Sequence, residues 1–282
     1  MEIVDSQVHV WPAHRPDRPL GHGGLDRAPF AYDELIAAMD RARVARAILV
    51  PPSFEGDRND YALEAARKYP NRFAVMGRVA LAGGGGRHAL SGWKNQPGML
   101  GVRLTFHRDD DRPWLTDGTA DWFWDEAEAN DVPVMVHAPE RLPVIAAIAA
   151  RHPTLRIIVD HMGFARETMD DAAAAGADRM SALAAHANVH VKVSALPCYS
   201  TAPYPFANLH QPLRRVIAAF GSRRCFWGSD ITRVPKTCSY RQTVTHFTEE
   251  LDFLTPSDLE WIMGRGLAEC LGWPAEEDSS AD

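Results

Sequence analysis

The chain has 282 residues, 46% hydrophobic and 24% charged, with a net charge of −7. That length holds one large barrel or two ordinary domains. The acidic balance excludes an extended nucleic-acid-binding surface, and no apolar run reaches membrane-spanning length. The chain enters directly into Glu2-Ile3-Val4-Asp5 with no basic-then-apolar leader, so no signal peptide is expected. Its four cysteines, Cys198, Cys225, Cys238 and Cys270, form no CxxC pair. They suggest neither a disulfide framework nor a structural zinc site, and a cytoplasmic location is the expectation.

Short β-rich runs recur along the chain at Ile3–Val8, Arg46–Val50, Arg72–Ala80, Leu100–Phe106, Pro133–His137, Arg156–Asp160, Val189–Ser194 and Cys225–Gly228. Their ends are spaced by roughly 25 to 40 residues, the length of a strand-helix unit. Helical periodicity falls between them at Tyr32–Arg43, Asn59–Tyr69, Ala120–Asn130, Arg141–Arg151, Met169–His186 and Leu209–Phe220. The connection after the third strand is weaker, with Gly83–Gly86 and a short segment near Trp93. Tyr240–Leu251 and Pro256–Leu271 read as two closing helices, and residues 275–282 as a disordered acidic tail. Eight alternations predict a single-domain α/β protein over residues 1–274, a (β/α)8 TIM barrel. A doubly wound open sheet would carry a glycine-rich phosphate turn after strand one, where this chain has Gln7-Val8-His9-Val10-Trp11. Gly83–Gly86 lacks the Lys-Ser or Lys-Thr of a phosphate-binding loop.

In such a barrel the chemistry lies at the C-terminal ends of the strands. Gln7 and His9, spaced by two, share a face at the end of strand one. Strand four carries Arg103 and ends near His107, strand five ends in His137, and strand six in Asp160-His161. Strand seven carries Lys192, and strand eight leads into Asp230. Taken singly, each has a plain structural reading: loop hydrogen bonding for the histidines, interior ion pairing for Arg103 and Lys192, and helix capping for Asp230. As a set they converge on one concave site. Trp11, Phe54, Phe106 and Tyr199 are candidate walls, and the loop Leu196–Asn208 reads as a lid. His14, His22, His88, His152, His186 and His246 take no consistent strand-end position and read as structural. Trp122 and Trp124 read as helix packing, and Trp273 as closure of the barrel bottom.

The motifs Val4-Asp5-Ser6-Gln7-Val8-His9-Val10-Trp11, Gly101-Val102-Arg103-Leu104, Val136-His137-Ala138 and Val159-Asp160-His161-Met162-Gly163 occur in this order. Val191-Lys192-Val193-Ser194, Trp227-Gly228-Ser229-Asp230 and Ile262-Met263-Gly264 follow. Together the chain resembles the amidohydrolase-2 branch of the amidohydrolase superfamily. The resemblance implies a catabolic hydrolase of lactones of sugar acids or aromatic-ring degradation products, or, in some relatives, a zinc-dependent decarboxylase of aromatic or enoic acids. It also implies histidines from strands one, five and six and an aspartate from strand eight, which His9, His137, His161 and Asp230 match.

Gln7 departs from that pattern, standing where the first histidine of a His-x-His pair is usual. A neutral amide is a poor zinc ligand. Strand four also offers Arg103 rather than a lysine that could bridge two metals as a carbamate. The expectation is therefore a site that needs no metal, with one Zn2+ held by His9, His137 and Asp230 as the alternative.

For a lactonase, Asp230 is the candidate general base, and His137 or His161, with Arg103 or Lys192, would polarise the carbonyl. His9 and Gln7 would orient the substrate or hold a tautomer. Arg103, Lys192 and His107 suit an acidic substrate, with Trp11 and Tyr199 as further contacts. The expected partner is a small molecule, with no nucleic acid and no membrane, and a homo-oligomer is open. A ligand-binding barrel without catalysis is the remaining alternative.

Overall fold

The computed structural model describes residues 1–21, 24–83, 88–234 and 238–273. Eight parallel strands, each short and almost wholly buried, run in chain order: β1 Val4–Val8, β2 Arg46–Leu49, β3 Phe73–Gly77, β4 Met99–Thr105, β5 Val134–His137, β6 Ile157–Val159, β7 Val189–Ser194 and β8 Cys225–Gly228. Most read as apolar runs because one face meets the barrel interior and the other meets helices, while β1 and β7 carry buried polar residues. The outer layer is α1 Tyr32–Ala42, α2 Asp60–Lys68, α3 Asp121–Ala129, α4 Leu142–Arg151, α5 Asp170–Ser181 and α6 His210–Phe220. After β8 come α7 Tyr240–Thr245, α8 Pro256–Glu260 and α9 Gly266–Leu271.

The fold is the expected (β/α)8 barrel, with differences at particular joints. The stretch expected as one helix over Met169–His186 ends as α5 at Ser181 and tightens into a 3-10 turn at Ala182–Ala185. The two closing helices are there, but π-helical turns interrupt them at His246–Glu250 and Trp261–Arg265. Ser239 and Thr255 start α7 and α8 with reciprocal capping boxes. After β3, the described residues form the short turn Trp93–Asn95 in place of a helix. The acidic tail lies outside the described residues.

The lower interior is filled by Val4, Ile48, Ala74, Met76, Met135, Ile158 and Phe226, plugged from below by Leu267, Cys270 and Leu271. Trp273 packs at this end, with the Arg46 guanidinium stacked 4.4 Å over its ring. The four cysteines are free thiols.

Two features of β1 set up the upper end. Its register against β2 slips by one residue between Asp5 and Val8. Without that extra residue, strict alternation would send Val4 and Gln7 to opposite faces. In the structure Val4 packs in the interior and Gln7 also reaches inward to Lys192.

The second feature is the seam between β8 and β1, where the described residues form no ladder. Asp5 closes it. Its Oδ1 accepts from the backbone N–H of Ser229 at 2.9 Å, and its Oδ2 from the Ser229 hydroxyl at 2.5 Å and the Tyr240 hydroxyl at 2.7 Å. The Asp230 N–H adds a bond to the Gln7 carbonyl at 2.9 Å. Gly228 is required at this approach: a Cβ there would lie 2.5 Å from Ser6 Oγ.

Candidate active site

The C-terminal mouth encloses a cavity of about 260 Å3 lined by His9, Trp11, Arg27, Phe54, Arg103, His107, His137, His161, Arg166, Asp230 and Arg233, together with Pro52, Ser53 and Thr232. A larger, mainly apolar cleft of about 360 Å3 lies between α4 and α5, outside the barrel, and holds none of these groups. The smaller cavity carries the chemistry.

The strand ends deliver the side chains in strained conformations. His161 and Met162, just past β6, have φ of 52° and 56°, and Asp230, just past β8, has φ of 48°. Left-handed backbone is costly for residues other than glycine and clusters at functional sites. Here it turns His161 and Asp230 toward one another: His161 Nε2 lies 3.7 Å from Asp230 Oδ2. His9 Nε2 lies 3.5 Å from Asp230 Oδ1, and Arg233 Nη1 lies 3.6 Å from Asp230 Oδ2. Asp230 is fully buried, and neither carboxylate oxygen has a hydrogen-bond partner among the described residues.

The imidazoles are held neutral. Burial lowers the pKa of His9, with Asp230 pulling against it. Burial pushes His137 and His161 well below the usual range, and Arg103 adds to the effect at His137. His107 falls to about 4, from burial and the nearby Arg103, Arg108, Arg78 and Arg112. His107, His137 and His161 run in a row, with ring centres 5.6 and 5.5 Å apart. His161 Nδ1 is hydrogen-bonded to Ser194 Oγ at 2.8 Å.

Beneath the cavity floor lies an ion network. Asp160 takes Lys192 Nζ at 2.9 Å and Arg103 Nε at 3.1 Å. Burial opposes its ionisation, but the two cations outweigh it and hold the carboxyl below the ordinary carboxylate range. Arg103 Nη1 also donates to Thr105 Oγ1 at 2.5 Å.

The structure brings His9, His137, His161, Asp230, Arg103, His107 and Trp11 to the cavity wall. Gln7, Lys192 and Tyr199, expected as substrate contacts, stand behind it and are fully buried. Lys192 is occupied by Asp160 and Gln7, the interior pairing that was its structural reading. Tyr199 packs edge-on to Phe164 and accepts a hydrogen bond from Arg233 Nη1 at 3.3 Å. Phe106 is likewise buried against the helices rather than lining the cavity.

The loop Leu196–Asn208 is no lid in this structure. Asp170 anchors it through Thr201 and Asn208, and the Tyr204 hydroxyl reaches Thr245 and Glu250. The residues sequence reasoning passed over are Arg27, Arg166 and Arg233 on the wall, and Ser194 behind His161. Ser194 had a signal: it lies two residues beyond Lys192 on the same strand face. The arginines sit in loops after strands one, six and eight, where side-chain direction carries no periodicity.

A nearly closed barrel with neutral histidines and one buried carboxylate at its C-terminal mouth defines a barrel hydrolase. The chain belongs to the amidohydrolase family, whose profile matches residues 4–265. Over 231 residues it is 29% identical to L-fucono-1,5-lactonase from Burkholderia ambifaria, covering 80% of this chain and 79% of that one. A solved amidohydrolase from Burkholderia multivorans, with zinc bound, superposes with a TM-score of 0.78 at 24% identity, covering 97% of this chain and 100% of the other. A protein described as a probable 2-pyrone-4,6-dicarboxylic acid hydrolase from Acinetobacter baumannii, with citric acid bound, gives 0.75 at 19% identity over 96% and 100%. No helix among the described residues is long and apolar enough to cross a membrane.

Proposed function

We propose that the protein is a lactonase that opens the cyclic ester of a small sugar acid or carboxylated compound, using a water activated by Asp230 and no resident metal. The observation that carries this reading is Asp230 itself: a buried carboxylate facing two neutral imidazoles at 3.5 and 3.7 Å in a cavity of substrate size. Its relative of 29% identity, named as a lactonase, supports the reaction class.

In the proposed step the water oxygen bonds to the lactone carbonyl carbon and one water proton passes to Asp230. The negative charge then forming on the carbonyl oxygen is met by the Arg103 guanidinium and a neighbouring imidazole N–H of His137 or His161. Collapse breaks the ring C–O bond, and the ring oxygen leaves with the proton that Asp230 had taken. Arg27, Arg103, Arg166 and Arg233 line the cavity, with Asp160 pairing Arg103 from below and Asp230 the one carboxylate among the described lining residues. This excess suits a substrate, or an acid product, carrying negative charge.

Metal independence is supported by the donor set. Lys192 donates to Gln7 Oε1 at 2.6 Å, so the Gln7 amide turns its N–H groups, not its oxygen, towards His9. Arg233 already neighbours Asp230, and its charge opposes a second cation at that carboxylate. Among the described residues no three ligating side chains converge on a metal position. This donor set favours a site without a resident metal; one Zn2+ held by His9, His137 and Asp230 is the second reading, supported by the zinc-bound amidohydrolase neighbour. A cytoplasmic location is part of this proposal.

The test is hydrolysis of a panel of sugar-acid 1,5-lactones and carboxylated lactones, with metal content measured on the same preparation. Ring opening by metal-poor enzyme is the expected result. Release of CO2 from an aromatic acid, dependent on stoichiometric zinc, would replace this reading with decarboxylation.

A further inference from the structure

Behind the cavity wall a chain of polar groups runs from β6 through β7 and β1 to the His9 ring. Asp160 Oδ1 holds Lys192 Nζ at 2.9 Å, and Lys192 donates to Gln7 Oε1 at 2.6 Å. Gln7 Nε2 faces His9 Nε2 at 3.3 Å, and His9 Nδ1 meets the Val50 carbonyl at 2.6 Å. Each link leaves no choice to the next. An ammonium group only donates, so the Gln7 oxygen must face it and the Gln7 N–H groups must face His9. A carbonyl only accepts, so His9 Nδ1 must carry the hydrogen. His9 Nε2 is then a lone pair, flanked by an N–H of Gln7 and lying 3.5 Å from Asp230 Oδ1.

We infer that Asp160, Lys192 and Gln7 are positioning residues that, together with the Val50 carbonyl, hold His9 with its hydrogen on Nδ1 and none on Nε2, so that His9 Nε2 and Asp230 Oδ1 form a two-acceptor cradle for the attacking water. Two acceptors 3.5 Å apart, with no hydrogen of their own between them, are matched by a molecule with two O–H donors. One water hydrogen would point at Asp230 and leave as the proton. The other would point at His9 and stay on the new acid while the water lone pair bonds to carbon. The water is thereby aimed, which is worth more than holding it nearby. The 3.3 Å bond from Gln7 is long enough to be shared when the water arrives. Gln7, which departs from the family's usual histidine, thus carries a fixed hydrogen-bond polarity from Lys192 to His9.

This inference rests on the lactonase reading for its kinetic consequence, but not for its structural one. The experiment is therefore double. Histidine labelled with 15N, with the His9 signal assigned against a His9→Gln variant, reports the tautomer of the substrate-free wild-type enzyme. The expected signature is a hydrogen on Nδ1 and none on Nε2. Gln7→Glu keeps the side-chain volume and can pair with Lys192, but it presents a carboxylate oxygen to His9 and calls a hydrogen onto Nε2. It should lower kcat roughly 100-fold with KM changed less than threefold. Gln7→Met, which supports neither contact, is the second variant: Val50 still holds the Nδ1 hydrogen, so its His9 should keep that tautomer while kcat falls less than in Gln7→Glu.

A wild-type spectrum with hydrogen on Nε2 overturns the inference. So does a folded Gln7→Glu enzyme with an altered tautomer and unchanged kcat, or with lost kcat and an unaltered tautomer. If the tautomer is as expected but no lactone is opened, the relay stands and the functional reading is what fails.

Discussion

His161 and Asp230 face each other across 3.7 Å, and both hold their backbones in the left-handed region, at φ of 52° and 48°. Asparagine tolerates that region about as well as aspartate does. Asp230→Asn should therefore fold normally while losing the ability to take a proton. Turnover is expected to fall by about 1,000-fold or more, with substrate binding largely kept. Steady-state kinetics and calorimetric binding on a variant of unchanged circular dichroism decide it; near-normal turnover removes Asp230 as the base.

Arg166 and Arg233 border the cavity from two different loops. If they answer substrate charge, Arg166→Ala should raise KM about tenfold for carboxylated lactones and hardly at all for neutral ones. Equal effects on both substrate types would mean that the guanidinium serves the loop and not the ligand.

Chelation gives an independent check. Prolonged dialysis against a strong chelator is expected to leave kcat/KM within about twofold, because the first-strand Gln7 turns an N–H into the site. Loss of activity restored by Zn2+ would contradict that.

The histidines also predict an acid limb of stability. Burial lowers His107 and His190 to about 4 and His246 to about 3, while the unfolded chain takes up these protons near 6.5. The native state thus binds fewer protons below pH 6.5, so stability is full above that value and falls as pH drops towards 4. The slope reaches about 1.4 kcal/mol per histidine and pH unit. Asp5 acts in the other direction: burial raises it to about 6, which stabilises the protonated native form below that pH and offsets one histidine. A melting temperature that declines steadily between pH 6.5 and 4.5 is expected, and a flat profile would count against neutral buried imidazoles.

Asp5→Ala should be among the costlier changes away from the cavity. It strands the donors of Ser229, Tyr240 and the Gln7 N–H, an expected loss of about 3 kcal/mol and roughly 6–12 °C in Tm. A melt matching wild type within 1 °C, on a scale of about 2–4 °C per kcal/mol, would mean that the seam holds without it.

Much of this was legible before any coordinates. Strand ends are marked by apolar, β-branched runs, and the barrel rule turns each end into an address for a functional group, which is why His9, His137, His161 and Asp230 could be named together. Two kinds of information were not in the pattern. The extra residue in β1 between Asp5 and Val8 leaves no compositional trace, because Ser6 and Gln7 are as acceptable in a regular strand as in a bulged one. Lys192 could be placed on an inward strand face, but its partners are set by which residues the neighbouring strands bring to the same height, and that depends on register. Tyr199 shows the same limit in a loop: its aromatic ring fits a cavity wall or a packing core equally well, and Phe164 decides for the core.

The seam between β8 and β1 has a consequence for how the protein comes into being. Asp5 and Ser229 are 224 residues apart, and the cradle built from His9 and Asp230 straddles the same join. During synthesis β1 leaves the ribosome first and waits with one edge unpaired until β8 arrives. No truncated product or prematurely released chain lacking β8 can contain half an active site that works, so enzyme activity in a cell reports only on chains that have closed the ring. The waiting edge is also where a slowly made chain is most exposed to pairing with a stranger.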